Sequence, residues 1–272
     1  MDLGIDGRVA LVTGASKGLG LGVATALANE GAKVGIASRS EDRIRAAADQ
    51  IGAHAFVHDT ADADGAQALV ARVQAELGPV DILVTNSGGP PASPDALSFT
   101  HEQWRSAYEL LLLGALALVE AVVPGMRERG WGRVLSLSSS VVREPSPVLV
   151  LSSAHRAGLL AAMKTIARQV ASDGVTINTL LPGVIATDRA KELGADSPER
   201  IATVPAGRLG TVEEFAAAAA FLCSQPAGYI TATTLLVDAR SDSAHLSYDR
   251  MTNFFAPYGN GAALAVARDL DA

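Results

Sequence analysis

Apolar residues fall along this chain in short runs that alternate with longer amphipathic stretches. RVALVTG (8–14) is a run of β-favouring residues that closes on glycine. LGLGVATALANEG (19–31) follows with helical spacing and a terminal glycine. The same alternation repeats. KVGIASR (33–39), HAFVHD (54–59), VDILVTN (80–86), GRVLSLSS (132–139), VTINTLLPG (175–183) and TTLLVD (233–238) read as strands. EDRIRAAADQI (41–51), DGAQALVARVQAEL (64–77), 101–130, 152–172 and 212–225 read as helices. Pro124 lies inside the helix at 101–130 and predicts a kink there.

Strands that are apolar throughout belong to a sheet covered on both faces. Their alternation with helices predicts parallel strands joined by right-handed crossovers. The expected fold is α/β, a Rossmann-like doubly wound parallel sheet of about seven strands. No composition shift marks a linker, so 1–272 reads as a single domain with its core at 7–238. The tail 239–272 lacks sustained periodicity and is expected to be irregular, packed on the body or on a neighbouring subunit.

Composition narrows the function. The chain has 272 residues, a formal net charge of −7 and 49% hydrophobic residues, which suits one sizeable core. Lys and Arg form no run, which argues against a nucleic-acid or anionic-membrane partner. The one cysteine, Cys223, cannot form an internal disulfide and reads as a buried helix residue in a reducing compartment. The histidines lack metal-ligand spacing, so no metal site is expected. There is no G-x-S-x-G elbow of a hydrolase. The apolar run at 110–119 ends at Glu120, too short to span a bilayer, and the first residues carry acids instead of a signal core. A cytoplasmic protein is expected.

The chemistry begins at TGASKGLG, Thr13–Gly20, between the first strand and the first helix. Glycines there permit a tight turn and close backbone approach, and a helix N-terminus attracts phosphate. The spacing is G-x-x-x-G-x-G, and alone it describes any strand-to-helix turn. Its companions add weight. NSGG stands at 86–89, Asp59 in HDT follows the third strand, LPGVIATD spans 181–188, and GRLGTVEEFA and YITATTLLVD come later. Together these resemble the landmarks of the short-chain dehydrogenase/reductase family, and the overall sequence is similar to 3-oxoacyl-carrier-protein reductases.

The resemblance covers 7–238 and implies a nicotinamide cofactor. It places Gly14, Ser16, Lys17, Gly18, Leu19 and Gly20 at the phosphates. It puts Asp59 at the adenine, Asn86 and Gly88 along the cleft, and Pro182, Gly183, Val184 and Thr187 over the nicotinamide. An acid after the second strand would select NAD(H). Arg39 stands there instead, with Lys17 in the glycine turn, and two cations suit the 2′-phosphate of NADP(H). NADP(H) is expected, with NAD(H) second.

The catalytic positions depart from the family. Its serine falls on Ser139. Its YxxxK, thirteen residues on, falls on Ser152 and Arg156, and its asparagine on Leu111. A tyrosine with a pKa near ~10 can be tuned by a neighbouring cation into a general acid. A serine hydroxyl is far less acidic and reaches roughly 4 Å less far. Arg156 stays charged and is a poor proton relay, but its fork can bond ribose hydroxyls or clamp a carboxylate or phosphate. Backbone carbonyls alone would also satisfy it. Tyr108 lies one turn from Leu111 and offers no substitute motif. His155, beside Arg156, points partly off the catalytic face. Segment 189–207 is expected to form a lid.

Two readings follow. One is an NADP-linked oxidoreductase with Ser139, Ser152 and Arg156 in an altered centre acting on a small carbonyl or alcohol. The other is a non-catalytic nucleotide-binding protein, a sensor or assembly partner. Elimination or isomerisation is a more distant third. The Ala/Leu-rich helices at 101–130 and 152–172, together with the resemblance, imply a homotetramer.

Overall fold

Val9–Thr13 are all buried and form strand β1 in the interior of the sheet. The computed structural model describes residues 1–192, 194, 196–202 and 204–239. Around β1 stand β2 (Lys33–Ser38), β3 (His54–Val57), β4 (Ile82–Thr85), β5 (Gly132–Leu137), β6 (Val175–Pro182) and β7 (Thr234–Val237). The order is β3-β2-β1-β4-β5-β6-β7 and every pairing is parallel. The seven-stranded parallel sheet expected from the alternating pattern is present.

Successive side chains of a strand face opposite sides of the sheet. Ala10 and Val12 of β1 therefore join one buried cluster, with Val23 and Leu27 of helix α1 (Gly18–Asn29), Ile44 of α2 (Glu41–Ile51) and Phe215 of a later helix. Val9 and Leu11 join the other, with Leu69 and Val73 of α3 (Ala66–Leu77) and residues of further helical segments. On this side run α4 (His101–Tyr108), α5 (Gly114–Glu128) and α6 (Val150–Val170). The lid region holds two short helices, α7 (Asp188–Glu192) and α8 (Pro198–Ile201), and α9 (Val212–Leu222) completes the first layer.

The helix runs through Pro124, and the departure from α geometry is a π-turn at Glu109–Leu113, between α4 and α5. Pro124 removes only one backbone donor, and the packing of Val122, Val123 and Met126 on the sheet side holds the helix together. The continuous helix His101–Glu128 has 28 residues and an 18-residue window of mean hydropathy 1.8. By length and composition it qualifies to cross a bilayer, which the shorter run at 110–119 does not. In the fold it lies along the sheet and packs against α3 and α6. The expected irregular tail from 240 onward lies outside the described residues.

Parallel strands end together, so the loops after β1, β4, β5 and β6 meet along one edge. β2 lies on one side of β1 and β4 on the other. A crevice opens at such a switch point, and ligands of doubly wound sheets bind there.

Candidate active site

The turn after β1 is locked to the end of β4. Thr13 Oγ1 donates to the Asn86 carbonyl at 2.8 Å and accepts from the Asn86 amide at 3.0 Å. Asn86 Nδ2 donates to the Gly14 carbonyl at 2.9 Å. Gly14 has φ +58, and a Cβ there would lie 2.7 Å from the Asn86 carbonyl oxygen. A Cβ at Gly20 would lie 2.6 Å from the Gly14 carbonyl oxygen. Neither position admits a side chain, so the backbone itself lines the crevice. Helix α1 begins here with no acidic residue in its first turn. Its free amides form an anion-binding end.

Ser16 and Leu19 are half-buried on this turn, beside Gly18. Lys17 is engaged elsewhere: its ammonium meets the Asp188 carboxylate at 3.3 Å. Asp188 opens α7, and the next residue, Arg189, donates to the Pro90 carbonyl at 3.4 Å. The start of α7, at the head of the segment expected to form a lid, is thus joined to the glycine turn on one side and to the loop after β4 on the other. Arg39 is exposed at the end of β2, with no ion pair among the described residues. Asp59 caps its own loop through the Ala61 amide at 3.1 Å. Gly88 has open space around it, and Pro182, Gly183, Val184 and Thr187 lie at the foot of the lid. Thr187 Oγ1 accepts from the Ala190 amide at 3.2 Å and so holds the start of α7.

The three candidate catalytic residues stand on β5 and α6. Ser139 follows β5 and caps a 3-10 turn, where its Oγ accepts weakly from the Val141 amide at 3.4 Å. Ser152 and Arg156 lie one turn apart on α6, exposed by only 6% and 9%. Arg156 Nε donates to Ser152 Oγ at 3.2 Å and Nη1 to the Leu137 carbonyl at 3.1 Å. The guanidinium lines a small cavity with Thr85, Asn86, Ser87, Leu110 and Leu111. Leu111 is buried in the π-turn. Burial alone lowers the basicity of Arg156, to a pKa of about 10.

His155 packs edge-on between Trp104 and Tyr108, with ring centroids 5.5 and 6.1 Å away. Its Nε2 is buried without a hydrogen-bond partner, and burial pulls its pKa below the usual histidine value. Tyr108 is 41% exposed and touches this ring. Cys223 is fully buried at the C-cap of α9 beside Arg133, and burial pushes its thiol up to about 12.

The chain has relatives over most of its length. Over 241 residues the chain is 38% identical to the 3-oxoacyl-[acyl-carrier-protein] reductase FabG of Escherichia coli (strain K12), a match that covers 87% of this chain and 98% of the relative. The chain belongs to the short-chain dehydrogenase/reductase family. A family model described as enoyl-(acyl carrier protein) reductase matches residues 14–239. The acetoacetyl-CoA reductase of Rhizobium meliloti (strain 1021) is 35% identical over 237 residues, 84% of this chain and 95% of the relative.

Among solved structures, the L-sorbose reductase of Gluconobacter frateurii complexed with NADPH and L-sorbose superposes with a TM-score of 0.80 at 32% identity. The match covers 88% of this chain and 98% of that one. A point variant of actinorhodin polyketide ketoreductase with NADPH gives 0.81 at 30% identity, over 85% of this chain and 96% of that one. As a member of this family the chain is an oxidoreductase.

Sequence reasoning passed over five participants. Thr13 stood in the quoted TG motif, yet its role as the clasp on Asn86 depends on a partner 73 residues away. Thr85 and Ser138 carry buried hydroxyl oxygens without partners at the ends of β4 and β5, and no spacing rule marks them. Asp188 and Arg189 tie the start of α7 to the glycine turn and to the loop after β4, which only the folded chain reveals.

Proposed function

We propose that this protein is an NADP(H)-dependent oxidoreductase of a small carbonyl/alcohol pair with an altered catalytic centre. The observation that carries this is the glycine turn, whose Gly14 and Gly20 are backed by Asn86 so closely that only bare backbone fits. That cradle, at the N-terminus of α1 and at the switch point of the sheet, fits a dinucleotide pyrophosphate. When bound, the cofactor supplies or accepts the hydride.

The other residues take these roles. Arg39 is exposed at the end of β2 with no ion pair among the described residues, and pairs with the 2′-phosphate. Lys17 joins it after exchanging its exposed partner Asp188. Gly88 and the 182–187 segment frame the nicotinamide end. Arg156 stands beside the nicotinamide ribose. Ser139 and Ser152 face the substrate oxygen. Ser152 Oγ accepts from Arg156 and so keeps its own hydrogen to donate. Two hydroxyl donors and a guanidinium stabilise negative charge on that oxygen but do not supply an acidic proton. Water provides it, and turnover of simple ketones is slow.

The protein acts in the cytoplasm, in keeping with its single buried thiol. Calorimetric titration with NADPH and NADH tests the assignment. Arg39→Ala is expected to weaken NADPH by about 1–3 kcal/mol, the scale of a charged hydrogen bond, and to leave NADH unchanged. Equal affinities of the unmodified protein for the two cofactors would remove the 2′-phosphate assignment. Loss of reduced-nicotinamide absorbance against a carbonyl panel then reads activity.

A further inference from the structure

The ion pair between Lys17 and Asp188 joins the glycine turn to the start of α7 across 171 positions of sequence. The charged groups meet at 3.3 Å, and among the described residues each pairs with no other charged group. The two ends are held differently. Lys17 is the N-cap of α1, with an extended backbone and a side chain that is 56% exposed. Its flexible four-carbon stem is free to swing.

Asp188 stands on backbone that is pinned on both sides. Before it, Ile185 bridges to Gly210, and the Ala186 amide donates to the Gly210 carbonyl at 2.9 Å. Thr187 lies against the glycine turn, where a Cβ at Gly18 would sit 3.9 Å from its Cγ2. After it, Arg189 donates to the Pro90 carbonyl, and a Cβ at Gly89 would meet its Nη2 at 3.3 Å. The carboxylate therefore stays beside the turn when the ammonium leaves it.

A nucleotide in the crevice offers Lys17 a second anion only if it carries a 2′-phosphate. That group bears about 1.5 to 2 negative charges at neutral pH and outcompetes a carboxylate. A bare 2′-hydroxyl offers no charge, and Lys17 stays on Asp188. NADP(H) thus breaks the pair on binding, and NAD(H) does not.

We propose that Asp188 is a determinant of cofactor choice, a positioning residue that holds Lys17 back from the 2′-phosphate and so narrows the preference for NADP(H) over NAD(H). This rests on the reading that Lys17 and Arg39 bind that phosphate. Arg39 has no ion pair among the described residues, so the effect of Asp188 passes through Lys17.

The test is calorimetric titration of NADPH and of NADH into the intact protein, read as the ratio of the two dissociation constants. Removing a negative charge beside the crevice favours any anionic nucleotide, and the ratio cancels that shared gain. Asp188→Asn is expected to raise the preference for NADPH about two- to fivefold, the scale of one exposed ion pair. Asp188→Glu keeps the charge and should stay near the wild-type ratio. Lys17→Met should lower the ratio, and on that background Asp188→Asn should change it no further. Both side chains are more than half exposed, so these variants keep the fold. An unchanged ratio in Asp188→Asn would overturn the proposal. So would an equal rise on the Lys17→Met background, which would make the effect a general field of the acid. A clear NADPH preference that Asp188→Asn leaves alone defeats this inference and spares the nucleotide reading. Equal affinities for the two cofactors in both wild type and Asp188→Asn, or no binding of either, defeat the two together.

Discussion

At the scale of single residues, the centre is defined by what Ser152 and Arg156 lack. A tuned acid contributes about 10²–10⁴-fold to carbonyl reduction. Replacing Ser152 by Tyr and Arg156 by Lys together is therefore expected to raise reduction of a neutral ketone by up to about that factor. Steady-state rates with NADPH check this. No gain would show that Leu111, at the asparagine position, is also limiting. The histidines give a second expectation. Burial lowers the pKa of both His58 and His155. Below the ordinary value of 6.5 the unfolded chain takes up protons that the folded chain resists, so stability falls as pH drops through that range. Urea midpoints at about pH 7.5 and about pH 5.5, either side of the histidine range, should show the loss, and His155→Phe should reduce it. The contact between Arg156 and Ser152 was legible in the sequence, because i, i+4 residues share a helix face. The bond to the Leu137 carbonyl and the pairing of Lys17 with Asp188 were not, since they join residues 19 and 171 positions apart.

At the scale of elements, the strands were legible because each is a run of apolar residues between turn signals. The π-turn was not, because Glu109–Leu113 keeps the apolar character of the helices on either side. Its consequence is a close approach behind it. A Cβ at Gly114 would lie 1.8 Å from the Thr60 carbonyl oxygen. Backbone cannot swing aside as a side chain does, so Gly114→Ala is expected to cost about 1–3 kcal/mol. Chemical denaturation measures it, and an unchanged midpoint would show that α5 shifts freely along the sheet. Helix ends were partly legible. The Thr211–Glu214 capping box starts α9 where expected, whereas its other end comes at Leu222, short of the expected 225.

At the scale of the whole molecule, α5 and α6 keep small apolar positions on their outer faces. Ala154, Ala157, Gly158 and Ala161 of α6 are exposed, and Leu112, Leu116 and Ala117 are only half-buried. Such a surface suits helix-to-helix contact between copies. We expect a homotetramer, read by light scattering at micromolar concentration, and a monomer would refute it. The sheet order has one more consequence, for the chain while it is still being made. β1 is an interior strand of the sheet, yet its second neighbour, β4, follows only after β2, β3 and their helices. Any sheet that β1–β3 form before β4 leaves the ribosome has β1 as a bare edge, and every residue of β1 is apolar or small. An unpaired edge of that kind invites another chain to pair with it. The strand that carries the glycine turn is therefore the one that newborn chains most need shielded.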